Sequence, residues 1–302
     1  MEIKQIIRER AYAKINLHLD VTGKMDNGYH SVSTVMQTVS VFDVITINDL
    51  RITSGEPCFT VSCGTDGVPC DGRNLACRAA MLFCERAGVS LSGEIHIDKN
   101  IPMAAGMAGG SADGAAVLRG LNRALGYPFS QSELLSIGAE LGSDVPFCIV
   151  GGTRYADGRG ELLSEFPSMP DCFIVAGCEG EDVSTPWAYR LLDGIYCDFA
   201  PDVYSPVSVE PLLSAVESGD ICKVAGAMYN IFESPVLDRR PVASELKRLL
   251  LEVGAIGAMM SGSGPSVFGV FADRDAAERA MAALFDRGFR GYLCRPCEIE
   301  SD

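Results

Sequence analysis

A glycine-rich loop that runs directly into a helix constrains this chain more than any other stretch. Residues 101–126 read I-P-M-A-A-G-M-A-G-G-S-A-D-G-A-A-V-L-R-G-L-N-R-A-L-G. The first half is too rich in glycine and alanine to fill a core, and the second half sets Ala116, Val117, Leu121 and Leu125 near one face of a helix. At such a junction several backbone N–H groups lack intrahelical partners and the helix dipole adds partial positive charge, so an anion is held without any side chain. Phosphate suits this arrangement. Gly106, Gly109 and Gly110 let the main chain approach a polyphosphate closely, and Ser111 falls where an N-cap, or a contact to phosphate or metal, belongs. A tight loop before an ordinary helix accounts for the same residues equally well.

The two commonest phosphate motifs are absent. Gly23-Lys24 is followed by Met25 and has no glycine at the required offset, so a Walker-type NTPase is disfavoured. No G-x-G-x-x-G follows a strand, which leaves a dinucleotide fold without support. The 302 residues, 47% hydrophobic and 22% charged, suit one large or two modest globular domains. With 40 acidic against 25 basic residues the net charge is −15, the opposite of what a general nucleic-acid binder needs. An anionic substrate must then be met by local N–H groups and a few placed cations, which draws attention to Lys14 and Lys99.

Twelve cysteines are scattered through apolar segments, as at Cys77, Cys84, Cys148 and Cys172, and read as reduced, buried thiols rather than a disulfide framework. The lone C-x-x-C, Cys294 to Cys297, has no second pair and no neighbouring histidine, and reads as structural. The N-terminus is charged, and no apolar run approaches the ~18 residues that a membrane span needs, so the expectation is a soluble cytoplasmic protein with neither membrane nor nucleic acid as partner.

Residues 11–22, A-Y-A-K-I-N-L-H-L-D-V-T, alternate strictly, which predicts a half-buried strand with Ile15, Leu17, Leu19 and Val21 on one side and Lys14, Asn16, His18 and Asp20 on the other. Asn27-Gly28 marks a tight turn that presents Tyr29 and His30 before a second strand over 32–47. A strand and loop follow at 56–72, helices at 73–87 and 132–141, the latter capped by Ser130 or Ser132, and a strand at 94–99. In G-S-D-V-P-F (142–147) Asp144 sits among small and apolar residues, either as a functional carboxylate or as a surface cap. Glycines at 151–152 and 158–160 punctuate a hairpin. Beyond 166 we expect a strand at 172–176, helices at 208–218, 219–229 and 241–253, strands at 256–260 and 265–271, a helix at 275–287 and a last strand at 290–295. That order suggests a split-βαβ sandwich. Within it, M-S-G-S-G-P-S (260–266) reads first as a plain hairpin turn.

Three of these segments, A-K-I-N-L-x-L at 13–19, P-x-x-A-G-x-A-G-G-S-A-D at 102–113 and S-G-S-G-P-S at 261–266, resemble the three motifs of the GHMP small-molecule kinase superfamily. With N-G-Y-H (27–30), G-S-D-V-P-F, G-G-T (151–153), G-R-G-E (158–161) and S-T-P (184–186), the chain is similar, over residues 11 to about 271, to the branch acting on 4-diphosphocytidyl-2-C-methyl-D-erythritol in non-mevalonate isoprenoid biosynthesis. The resemblance implies an α+β, two-domain GHMP kinase fold: an N-terminal ribosomal-protein-S5-domain-2-like domain (1–165) and a C-terminal ferredoxin-like, split-βαβ domain (166–302). It implies transfer of the γ-phosphoryl of ATP, with Mg²⁺, to a hydroxyl of the cytidylyl alcohol, giving the 2-phosphate.

Residue by residue, the resemblance makes Lys14 and Asp144 the catalytic pair and gives Asn16, Tyr29, His30, Thr185 and Tyr189 to the substrate, Tyr29 and Tyr189 as two rings around a pyrimidine. It gives Lys99, Pro102, Ala105, Gly106, Met107, Ala108, Gly109, Gly110, Ser111 and Ala112 to the nucleotide, and it assigns no metal ligand and leaves monomer and weak dimer both open. Met36 departs from the pattern at a pocket position that is aromatic in some members. Two other readings stand beside this one: a GHMP kinase for another small alcohol such as homoserine or mevalonate, against which N-G-Y-H argues, and a non-catalytic sensor of nucleotide and metabolite, against which the presence of both Lys14 and Asp144 argues.

Overall fold

Strand β1 (Ile7–Lys24) is rich in alternating β-branched and leucine residues and is the axis of the first sheet. A computed structural model describes residues 6–180, 182–200 and 202–300. Within them β1 pairs antiparallel along β2 (His30–Ile52), the turn between them closing at Gly28, whose φ is +83°. β3 (Cys58–Cys63) and β4 (Leu91–Asp98) extend the sheet beyond one half of β2, and the hairpin β5 (Thr153–Asp157) and β6 (Leu162–Glu165) attaches to its other half.

The expected strict alternation of β1 fails in the middle. Asn16 pairs with Met36 but His18 pairs with Val35, so Leu17 is an extra residue at a β-bulge. A one-residue insertion exchanges the faces of everything that follows. Ile15 and Leu17 therefore enter the first core, whereas Leu19 and Val21 enter the second. Nor is the strand half-buried: every residue from Ala11 to Val21 is buried, the polar ones included, because the second unit covers the face that the sequence pattern assigned to solvent.

Helices α1 (Leu75–Ala87), α2 (Gly109–Ala124), α3 (Gln131–Leu141) and α4 (Val145–Val150) cover the first sheet, with Phe83, Leu118, Leu121 and Phe147 packed in one core with Ile45 and Ile47. Asn74 caps α1 through its side chain, and Ser130 with Glu133 forms a capping box on α3, which settles the choice between Ser130 and Ser132. Ser111 is not the cap of α2. That position belongs to Ala108, held at φ +57°, and Ser111 lies inside the first turn.

The second sheet has β7 (Phe173–Cys178), β9 (Gly257–Met260), β10 (Val267–Phe271) and β11 (Arg290–Cys294) in the order β11-β7-β10-β9, all neighbours antiparallel. Fourth, first, third and second along the chain, this is the expected split-βαβ arrangement. α9 (Pro241–Glu252) and α10 (Arg274–Asp286) pack on it. Between β7 and β9 the chain forms α5 (Thr185–Tyr196), α6 (Glu210–Glu217), α7 (Ile221–Ala227), the short strand β8 (Tyr229–Asn230) and α8 (Glu233–Leu237). β8 pairs in parallel with His18 and Leu19 of β1. The C-terminal segment also returns to the first sheet, where Cys297 N–H donates to Thr38 O (3.1 Å) and Ser40 N–H to Arg295 O (3.0 Å).

All twelve cysteines are free thiols, as expected, but not all are buried: Cys58, Cys70, Cys197 and Cys222 are exposed, at positions of an edge strand, a loop and short helical segments whose inward side is taken by neighbours such as Phe59, Phe199 and Val224. Among the described residues no helix is long and apolar enough to cross a membrane.

Burial of His18 (1% exposed), with Nε2 unpartnered among the described residues and Tyr229 as its ring neighbour, holds its pKa down at about 4, against an ordinary value of 6.5. Its folded pKa lies below its unfolded one, so native stability is intact above pH ~6.5 and falls as the pH drops toward 4, by up to about 3 kcal/mol. His18→Phe is expected to flatten that portion of the stability profile measured by urea unfolding; an unchanged slope between pH 6.5 and 4 would place the acid sensitivity elsewhere.

Candidate active site

Lys14 reaches its position because a second bulge, between Tyr12 and Lys14, releases its backbone N–H from the strand ladder to donate to Met107 O at 3.2 Å. One hydrogen bond thus ties β1 to the glycine loop. The side chain, 4% exposed, donates from Nζ to Asn16 Oδ1 (2.7 Å) and faces Asp144 Oδ2 at 3.7 Å. Asn16 Nδ2 in turn donates to Thr34 Oγ1 (2.9 Å), which donates to His18 O (2.7 Å). This chain of oriented bonds fixes both the ammonium and the amide, and it satisfies groups that would be costly to bury alone. Asp144 precedes α4 but makes no capping bond, so the surface-cap alternative fails, and its carboxylate is left 38% exposed to the cleft.

The glycine loop lies on the other side of Asp144. The first bond of the α2 ladder runs from Ala112 N–H to Ala108 O (2.9 Å), so the N–H groups of Gly109, Gly110 and Ser111 precede it and point out of the helix end. Gly106 is held at φ +74° with its α-carbon against the second unit: a Cβ built there would lie 2.1 Å from Ser261 O. Ser261 Oγ donates to Gly106 O (3.0 Å) and Ser266 N–H to Ala105 O (3.3 Å). The turn at 260–266 is therefore more than the hairpin its sequence suggests, because it joins β9 to β10 and braces the loop from behind.

Beneath the loop Lys99 Nζ sits between Asp43 Oδ2 (2.6 Å) and Asp113 Oδ2 (2.7 Å). Asp43 also accepts from the N–H groups of Asn100 and Ile101. Burial alone would depress the Lys99 ammonium, but Asp113 and Asp43 outweigh it and raise its pKa. Burial, with Asp43 adding and Lys99 opposing, pushes Asp113 up to about 7.

Two cavities meet at this place. One, of about 560 Å³, is lined by Lys14, Asn16, Tyr29, His30, Asp144, Thr185 and Tyr189, among others. The other, of about 470 Å³, is lined by Lys99, Pro102, Ala105, Ala108, Gly109 and Gly110, among others. Gly106, Ser111, Asp144, Thr185 and Ser263 line both. The catalytic and acceptor residues read from sequence thus share one cavity and most of the nucleotide residues the other. Met107 and Ala112 do not join them: both side chains are buried in the first core, and Ala112 has its N–H in the helix ladder.

The aromatic arrangement differs from two free rings around a base. Tyr189 lies against His30, ring centroids 4.5 Å apart and planes at 22°, and meets Phe232 edge-on. Tyr29 is 58% exposed, with the Arg159 guanidinium 5.4 Å from its ring. Met36 lines the same cavity and is 1% exposed. Sequence reasoning missed Arg159, Lys24 and Asp193 here. Asp193 follows Tyr189 by four residues on α5, one helical turn, and was invisible while that helix went unread although S-T-P gives a helix start.

Residues 74–152 match the GHMP kinases N terminal domain and residues 212–290 the GHMP kinases C terminal domain. The 4-diphosphocytidyl-2-C-methyl-D-erythritol kinase of Caldicellulosiruptor saccharolyticus is 41% identical over 275 residues, 91% of each chain, and that of Gloeobacter violaceus 40% over 291 residues, 96% of this chain and 94% of that one. A crystal structure of 4-(cytidine 5'-diphospho)-2C-methyl-D-erythritol kinase superposes with a TM-score of 0.78 at 29% identity, covering 98% of this chain and all of that one. A homoserine kinase from Cytophaga hutchinsonii shares the fold at 19% identity with a TM-score of 0.74 over 99% of this chain and 96% of its own. Sheet order, the braced glycine loop and identity at this level along nine-tenths of the sequence agree: the chain belongs to the GHMP kinases, in the 4-diphosphocytidyl-2-C-methyl-D-erythritol kinase family.

Proposed function

We propose that this protein transfers the γ-phosphoryl group of ATP to a hydroxyl of 4-diphosphocytidyl-2-C-methyl-D-erythritol, giving the 2-phosphate in non-mevalonate isoprenoid biosynthesis. The observation that carries the reading is Asp144, paired with Lys14 at 3.7 Å on the wall common to both cavities. A donor nucleotide in one cavity and an acceptor alcohol in the other meet there in line.

The N–H groups of Gly109, Gly110 and Ser111 take the phosphates at the positive end of α2, in place of a Walker lysine. The acceptor hydroxyl gives its proton to Asp144, its oxygen bonds to the γ-phosphorus, and the bond from phosphorus to the bridging oxygen of ADP breaks. Lys14, anchored by Asn16, faces that carboxylate and stabilises charge on the moving phosphoryl group. Among the described residues no three His, Cys, Asp or Glu side chains cluster to hold a metal. The Asp144 carboxylate and the Ser111 hydroxyl on the shared wall are nonetheless hard oxygen donors that would help to hold Mg²⁺ brought with the nucleotide, which would supply neutralisation of phosphate charge. The base of the acceptor lies at the far end of its cavity, among Tyr29, His30 and Tyr189.

Asp144→Asn is expected to leave both dissociation constants near wild type and to lower kcat by ~10² or more in a coupled ADP-release assay, the scale for losing a general base. Retention of near-full kcat would remove Asp144 from the proton transfer. Tyr29→Ala should raise KM for the cytidylyl alcohol about tenfold, as the loss of one stacking partner worth ~1–3 kcal/mol requires, and leave KM for ATP alone. Equal damage to both would reassign the cavity. In the same assay, turnover of homoserine or mevalonate in preference to the cytidylyl alcohol would overturn the substrate.

A further inference from the structure

We propose that Asp193 decides which pyrimidine this site accepts, by holding the proton of His30 on Nε2 and so leaving Nδ1 as an acceptor for the exocyclic amino group of cytosine. The inference deepens the proposed function and rests on its cytidylyl substrate. His30 opens β2, and its Nε2 lies 2.6 Å from Asp193 Oδ1. An ionised carboxylate can only accept, so the ring nitrogen facing it carries the proton, and a neutral imidazole then presents a lone pair at its other nitrogen.

The carboxylate is held in place from its other side. Lys24 Nζ lies 2.9 Å from Asp193 Oδ2 and 2.5 Å from Asp198 Oδ1. Burial pushes the Asp193 carboxyl up, but the bonds from Lys24 and His30 outweigh it and hold the group below the usual carboxylate range. The ring is gripped on two sides, flat by Tyr189 and edge-on by Phe199 at 5.6 Å and 75°, which opposes a flip that would exchange its nitrogens. Among the described residues Nδ1 has no protein partner, yet it is not sealed in as the buried orphan atoms are, and His30 lines the 560 Å³ cavity.

Cytosine carries an amino donor where uracil carries a carbonyl acceptor. A lone pair at Nδ1 matches the first and repels the second; a proton at Nδ1 reverses the preference. Asp193 is thus a positioning residue, acting on the base through His30.

The test compares kcat/KM for the cytidine-diphosphate-linked alcohol and its uridine counterpart. In Asp193→Ala the cytidine-to-uridine ratio is expected to fall tenfold or more, through KM of the alcohol, with KM for ATP held. Asp193→Glu restores part of it. Lys24→Met, which leaves the His30 contact in place, shifts the ratio in the same direction by a smaller factor. A parallel fall for both bases would make Asp193 merely structural and overturn the proposal. The chain has three histidines, so ¹⁵N spectra at pH 8 read the His30 tautomer in the free wild-type protein directly. Nε2–H is expected, and Nδ1–H overturns the proposal whatever the kinetics. If the wild type used neither nucleotide-linked alcohol, the proposed function would fall, while the tautomer would still decide the role of Asp193.

Discussion

The contact of two backbones, Gly106 against Ser261, is the constraint on which the rest of the molecule depends. It leaves no room for a side chain at residue 106, since a Cβ would meet the Ser261 carbonyl at 2.1 Å, and it requires φ +74°, which glycine alone adopts without strain. Through it the loop that opens α2 and the turn between β9 and β10 become one surface. Asn230 extends the same joint, donating from Nδ2 to the carbonyls of Met260 (2.7 Å) and Gly262 (2.9 Å) from the short strand that pairs with β1. Both cavities open on this seam, so neither unit forms the site by itself.

A buried lysine beside the seam needs an explanation in energy. Removing an ammonium from water is expensive unless hydrogen bonds and an opposite charge replace the solvent. For Lys14 they come from Asn16, two residues on, whose amide is itself held across the sheet by Thr34, and from Asp144, which is left partly wet. Lys99 solves the same problem differently, with two carboxylates and burial that is almost complete. The contrast sorts the two lysines that the acidic composition singled out. Lys14 keeps a charge at the mouth of the reaction, while Lys99 joins the strand before the glycine loop to the helix after it, which keeps that loop in shape before any ligand arrives.

Much of this was legible in the residues. The three motif segments converge, the strand and helix order of the second unit matches its fourth-first-third-second sheet, and the residues assigned to the acceptor share one cavity. What sequence could not carry was phase and cover. A period of two predicts one polar face on β1, but the extra residue at Leu17 exchanges the faces, and nothing local announces a bulge whose partner is Met36 on another strand. Tertiary cover likewise turned an apparently solvated face into a buried one. α5 was missed because only Ala188 and Leu192 of its twelve residues are buried, too few to print a helical stripe, and Asp193 went with it.

The second unit is joined to the first by more than one thread. Besides the covalent connection after β6, the chain crosses back at β8 and again at its C-terminal segment, where residues 295–297 bond to Thr38 and Ser40 of β2. Three attachments spaced around a body remove the axis about which it could swing. The Tyr29 turn and the start of α5, which line the acceptor cavity, thus stand on one frame fastened at three places, and the shape of that cavity is set by both units together.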